Sequence, residues 1–192
     1  MADISERFPE QDEQLSIVPM TRDDLDRVVA IERASFPTAW RREAYERELL
    51  NANARYLVAK LGGEVVGYAG MWAIMDEAHI TTLAVATPYR RRGIGERLLV
   101  ALLQSAEDAG AGTVTLEVRA SNEAARALYD RYGFEAVAYM GGYYADTGEE
   151  AVVMWLKPLR PAPQVRDPER AAQDGPEGPQ GCRDGEPSGG EA

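Results

Sequence analysis

With 192 residues and a hydrophobic share of 45%, the chain has material for one globular domain and shows no internal repeat. One cysteine, Cys182, and one histidine, His79, leave too few ligands for a zinc site or thiolate cluster and too few bases for a histidine triad. Of the formal net charge of -11, residues 1–14 carry -4 and residues 161–192 carry -4, so the acidity belongs to the ends and argues against nucleic acid, whose phosphates call for clustered Lys and Arg.

Residues 1–14 are polar and acidic, which predicts a flexible lead. They offer none of the ~18 uninterrupted apolar residues that a membrane span needs, and the chain reads as cytoplasmic with no membrane partner. Residues 15–19 read as a first strand. Thr21 then caps a helix whose apolar positions Leu25, Val28, Val29 and Ile31 keep a helical period, and Phe36-Pro37 ends it. A second helix is expected from near Trp40 to Leu50. Residues 56–59 read as a strand turning at Gly62-Gly63, and residues 64–74 and 79–85 follow as two more strands of an antiparallel meander.

Pro88 interrupts the pattern, and residues 93–109 carry a strong helix with Leu98, Leu99, Leu102, Leu103 and Ala106 on one face and Gly110 as its stop. Residues 113–119 read as a strand and 122–132 as a helix; residues 134–140 and 151–156 close the domain as strands. The order predicts an α+β fold, a mixed but mostly antiparallel sheet flanked by helices, over residues 15–160. Residues 161–192 hold six Pro and six Gly with Val165 as the one large aliphatic, a composition that reads as a disordered tail.

Arg90-Arg91-Arg92-Gly93-Ile94-Gly95 lies between a strand and a helix, where backbone N–H groups and the positive helix end can receive phosphate. Glycines let the backbone approach a ligand and adopt positive φ, and the arginines add charge-assisted donors. The same six residues would also serve as a basic helix start with two glycines for a tight turn. Placed after His79-Ile80-Thr81-Thr82-Leu83-Ala84-Val85, the loop resembles the pyrophosphate loop of the Gcn5-related N-acetyltransferase (GNAT) superfamily.

The resemblance sharpens at Leu116-Glu117-Val118-Arg119-Ala120-Ser121-Asn122, at Ala127-Leu128-Tyr129 and at Gly133-Phe134, which look like the RimI branch of that superfamily. Phe36-Pro37 with Trp40, Asp76-Glu77-Ala78, Tyr143-Tyr144 and residues 150–154 agree, and the likeness covers residues 15–157. It implies acetyl-coenzyme A as donor, no metal, and as acceptor a protein N-terminus, the N-terminal alanine of a small-subunit ribosomal protein. It also implies Glu117 as general base, Tyr129 as general acid, Leu83, Ala84 and Val85 as the strand that meets the pantetheine arm, and Asn122 as a further cofactor contact. By the same likeness residues 90–95 take the pyrophosphate, and Phe36, Trp40, Tyr143 and Tyr144 wall the acceptor groove.

The chemistry suits those residue types. An α-ammonium with a reference pKa of ~7.7–8.0 needs modest help to lose a proton, and a departing thiolate accepts one from a phenol. Each residue also has a structural reading: Glu117 as a solvent-facing strand position, Tyr129 as core, Asn122 as a helix N-cap, Trp40 as an anchor for the second helix, Tyr143-Tyr144 as strand-end packing, and His79 as a structural histidine. A small-molecule amine or a protein lysine as acceptor, and a non-catalytic acyl-coenzyme A sensor, are the competing functions.

Overall fold

Short runs of β-branched and aromatic residues between turn signals form seven strands, and the helical periods form four helices, over residues 15–158, the part that the computed structural model describes. The acidic lead and the tail inferred above, with Cys182, lie outside the described residues. The order is β1 (Ser16–Pro19), α1 (Leu25–Ser35), α2 (Arg42–Glu48), β2 (Ala54–Leu61), β3 (Glu64–Ile74) and β4 (Glu77–Val85), then α3 (Ile94–Asp108), β5 (Thr113–Arg119), α4 (Glu123–Arg131), β6 (Glu135–Tyr144) and β7 (Glu149–Leu156). Among the described residues no helix is long and apolar enough to cross a membrane.

Capping chemistry fixes the helix starts. The Asp24 carboxylate accepts from the Thr21 backbone N–H at 2.9 Å and from its hydroxyl at 2.8 Å, and it pairs with Lys60 of β2 at 2.7 Å. That ties the approach to α1 onto the sheet. Asn122 caps α4, its Oδ1 accepting from Ala125 N–H at 3.2 Å. Strands β2, β4 and β7 start two residues earlier than the sequence expectation, and two other elements differ from it near the cleft. The second helix spans only Arg42–Glu48, shorter at both ends than expected, because Arg41 is extended (φ -86, ψ 161) and serves as its N-cap. β6 runs past Gly141-Gly142 to Tyr144, carried through by a register shift between Met140 and Tyr144.

The sheet order is β1-β2-β3-β4-β5-β7-β6, and only β4 and β5 run parallel. One core lies under α3 and α4, where Leu98, Leu99, Leu102 and Leu103 meet Val114, Leu116, Val118 and Met154. The other lies under α1 and α2, where Leu25, Val28 and Tyr45 meet Tyr56, Val58 and Tyr68. Fully burying an aliphatic side chain is worth roughly 1.5–3 kcal/mol, so this double packing anchors the β2–β4 meander. Gly70 is what lets the Tyr56 ring lie against the sheet, since a Cβ there would come within 2.1 Å of it.

One irregularity creates the site. In the β3–β4 pairing Met71 faces Ile80 and Gly70 faces Thr82, leaving Thr81 as an extra residue. Such a bulge bends its strand and increases the twist. β4 and β5 pair only from Glu77↔Thr113 to Ile80↔Leu116, and beyond that point they separate. The bulge also inverts the alternation, so that Leu83 and Val85 face α3 as Ala78 and Ile80 do before it.

Candidate active site

A cleft of about 460 Å³ opens at the fork between the two parallel strands. Thr81, Thr82 and Leu83 line it from β4, and Glu117, Val118 and Arg119 from β5. Of the residues singled out in the sequence, Glu117, Tyr129, Asn122, Phe36, Trp40, Tyr143, Tyr144 and Leu83 come together on its wall. Ala84, Val85 and residues 90–95 do not line it; they stand beside it along the β4–α3 connection.

Glu117 and Tyr129 reach the cleft from opposite faces of the sheet. Leu116 and Val118 belong to the core under α3, so the alternation turns Glu117 to the α1–α2 face. Its side chain is a quarter exposed. Tyr129 comes from α4 on the α3 face, 7% exposed, with its ring 5.5 Å from that of Phe134. It is both core and cleft wall. Burial pushes its phenol up to about 12, with Tyr144 adding to the shift, so at neutral pH it holds a proton to give.

His79 is the residue that sequence reasoning set aside. Its Nε2 stands 3.2 Å from Glu117 Oε2 and its Nδ1 2.9 Å from the Thr115 hydroxyl. The Thr115 hydroxyl, which also lies 3.5 Å from Ala78 O, thus fixes the ring from one side while Nε2 faces the Glu117 carboxylate on the other. The sequence signal was the alternation His79, Thr81 on one strand against Thr115, Glu117 on another, readable only once the parallel register His79↔Thr115 is known. Glu32, which also lines the cleft, was missed as well, although it falls in phase with the apolar stripe Leu25, Val28, Val29.

The wall opposite β4 is built by ion pairs. The Arg119 guanidinium bonds both oxygens of Asp146 at 2.7 and 2.9 Å, Glu149 at 3.2 Å and the Thr147 hydroxyl at 2.9 Å, and lies 3.9 Å over the Tyr144 ring. Glu149 in turn accepts from Ser121 N–H at 2.8 Å. The Arg119 contacts hold the carboxyls of Asp146 and Glu149 below the usual range; for Glu149 the Ser121 contact comes first. This lashes the β6–β7 turn to the end of β5. Tyr143, 46% exposed, packs edge-on to Tyr144 at 5.1 Å. Across the cleft Trp40 is 36% exposed, 5.6 Å from the buried Tyr45 ring, with Phe36 beside it.

The β4–α3 turn fits a pyrophosphate by its main chain. Gly93 is the residue before α3, with φ 75, and offers no side chain to cap the helix, so the first N–H groups of α3 point outward. A Cβ on Gly93 would meet nothing within 4 Å, so the cradle is open. Gly95 borders Leu83 and Val85, which links the turn to the forked strand. Arg90 folds back, its Nε donating to Val85 O at 2.9 Å, and Arg92 lies 5.5 Å over the Tyr89 ring. Beyond the bulge one edge of β4 pairs with β3 while the other has no strand partner, which suits an extended ligand. Among the described residues no group of three His, Cys, Asp or Glu could hold a metal ion.

Comparison with known proteins agrees with this geometry. Residues 25–134 match the Acetyltransferase (GNAT) family. The chain is 38% identical over 148 residues to the N-alpha-acetyltransferase RimI of Mycobacterium tuberculosis, covering 74% of this chain and 92% of that one. It is 35% identical over 137 residues to the [ribosomal protein bS18]-alanine N-acetyltransferase of Escherichia coli K12, covering 69% and 90%. The crystal structure of the Escherichia coli ribosomal-protein-S18-alanine N-acetyltransferase superposes with a TM-score of 0.71 at 28% identity, over 80% of this chain and all of that one. A mixed sheet forked at its one parallel pair, a glycine-led helix start beside the fork, and this sequence identity over most of the chain place the protein in the GNAT acetyltransferase family.

Proposed function

We propose that this chain moves the acetyl group of acetyl-coenzyme A onto the α-amine of a protein N-terminus, with the N-terminal alanine of a small-subunit ribosomal protein as acceptor. The observation that carries the reading is the placement of Glu117 and Tyr129 on opposite faces of one fork. A base is wanted where the amine arrives and an acid where the thiolate leaves, and the two substrates approach a transfer centre from opposite sides. Acetyl-coenzyme A supplies an activated thioester, and the β4 edge with the turn at residues 90–95 is suited to hold it.

Glu117, with His79 Nε2 3.2 Å from its carboxylate, takes a proton from the ammonium, and the freed nitrogen attacks the thioester carbon. The C–S bond breaks as the intermediate collapses, and Tyr129 gives its proton to the departing sulfur. The second proton lost by the nitrogen returns through solvent to the Tyr129 phenolate, and Glu117 passes the first to solvent, so each turnover resets both groups and releases one proton. A main-chain N–H near Val85 is suited to face the developing oxyanion. The open wall of Phe36, Trp40, Tyr143 and Tyr144 suits an extended peptide.

A peptide with a free N-terminal Ala is expected to be acetylated with a much higher kcat/KM than free lysine, a polyamine or an N-terminally blocked peptide containing Lys, as read by mass spectrometry. A comparable rate on the blocked peptide would assign the enzyme to lysine or small amines.

A further inference from the structure

Glu32 is a carboxylate where the helix asks for a hydrocarbon. It follows Leu25, Val28 and Val29 on the buried face of α1 and is 4% exposed. Among the described residues no cation pairs with it; its partners are all neutral donors. Oε1 accepts from the Trp40 backbone N–H at 3.0 Å, while Oε2 accepts from the hydroxyls of Tyr45, at 2.9 Å, and Tyr68. Burial raises its pKa, against the pull of the Trp40 and Tyr45 hydrogen bonds.

A buried carboxylate without a counter-charge costs stability that an apolar side chain of similar volume would not. What it does instead is hold the neighbouring turn. From residue 37 to residue 40 the main chain makes one hydrogen bond to the rest of the described residues, the one from Trp40 to Glu32. The two tyrosines, with rings at 5.8 Å and 89°, fix the carboxylate from the opposite side. Glu32, Phe36, Trp40 and Tyr45 all line the cleft.

We infer that Glu32 is a positioning residue for the acceptor: through the Trp40 N–H it sets the turn at residues 37–40, and with it the wall that the incoming peptide meets. The inference rests on the acetyl-transfer reading above. It predicts a split between the two substrates, because the β4–α3 turn shares no hydrogen bond with Glu32.

Steady-state kinetics with acetyl-coenzyme A and a peptide bearing a free N-terminal Ala test it. Glu32→Leu fills the space without an acceptor and is expected to raise the peptide KM about 10-fold or more, as loss of a buried charged hydrogen bond would, while the acetyl-coenzyme A KM stays within about 2-fold. Glu32→Gln keeps a carbonyl for Trp40 and turns an NH₂ to the two phenol oxygens, so it is expected to restore the peptide KM to within about 3-fold of the parent. If Glu32→Leu does not fold, replacing the Ala39–Trp40 amide by an ester removes the one N–H with every side chain in place, and the same rise in peptide KM is expected. A folded Leu variant or ester with unchanged peptide KM overturns the inference, as does a parallel rise in the acetyl-coenzyme A KM. Parent enzyme that leaves the peptide untouched overturns the acetyl-transfer reading, and this one with it.

Discussion

The two sides of the fork are built by different means. On the side proposed for the donor, Leu83 to Gly95 is one contiguous stretch that offers main-chain N–H and C=O groups, exposed by a strand that has lost its neighbour and by a helix that starts on a glycine. On the side proposed for the acceptor the cleft is lined by side chains from three separate segments, Phe36 and Trp40 from the α1–α2 connection, Glu117 from β5 and Tyr143-Tyr144 from the end of β6. Hydrogen bonds and ion pairs around Glu32, His79 and Arg119 hold them in place. A backbone cradle is suited to what every such donor shares, a pyrophosphate and an amide-bearing arm. Side-chain walls can change without disturbing it, which lets one fold keep its donor and vary its acceptor.

If the division is real, damage on one side should leave the other intact. Glu117→Gln keeps the shape and removes the base, so turnover at neutral pH should fall ~100- to 10,000-fold while acetyl-coenzyme A binds as before by calorimetry. Parent-like turnover would return Glu117 to the role of a strand residue paired with His79. A smaller effect is expected on the donor side. Gly93→Val forces a β-branched residue into φ 75, where an L-residue is strained by roughly 1–2 kcal/mol, so acetyl-coenzyme A affinity should drop about 10-fold. Peptide KM at saturating donor should stay put. Unchanged donor affinity in the folded variant would mean that the phosphates bind elsewhere.

The same contrast explains what could be read from the sequence. The helix expected at residues 93–109 is α3, Ile94–Asp108, and the strand expected at 113–119 is β5, because Leu98, Leu99, Leu102 and Leu103, and the alternation Val114, Leu116, Val118, are local periodicities. The glycine turn was legible for the same reason. Gly141-Gly142 reads locally as the end of a strand, yet pairing with β7 carries β6 to Tyr144. The Thr81 bulge, which opens the fork, depends on how β3 and β4 are registered and leaves no local mark. His79 against Glu117 needs the β4–β5 register, and Glu32 against Trp40 needs the turn between two helices. Phe36, Trp40, Tyr143 and Tyr144, which the structure brings to one cleft, were singled out through likeness to a family, which carries the tertiary information that spacing lacks.

The smallest effect concerns Tyr129, where the two sides meet. Its wall is apolar, and burial holds the phenol up to about 12, above the ordinary value of 10. A group with a raised pKa stays protonated through the range in which a free tyrosine would ionise, so the acid remains loaded until the pH approaches 12. Rising pH has a separate action on the acceptor, whose α-ammonium loses its proton near ~7.7–8.0. The rate at saturating substrates should therefore climb through pH 8 and then hold level past pH 10, with no alkaline limb at the ordinary tyrosine value. Stopped-flow pH jumps can take the profile to pH 11 before slow unfolding intervenes, and Tyr129→Phe should slow the whole curve without changing its shape below pH 10. A limb near pH 10 in the parent enzyme that disappears in Tyr129→Phe would show that the phenol titrates as if exposed, and would move the proton donor out of the buried α4 wall into open contact with water.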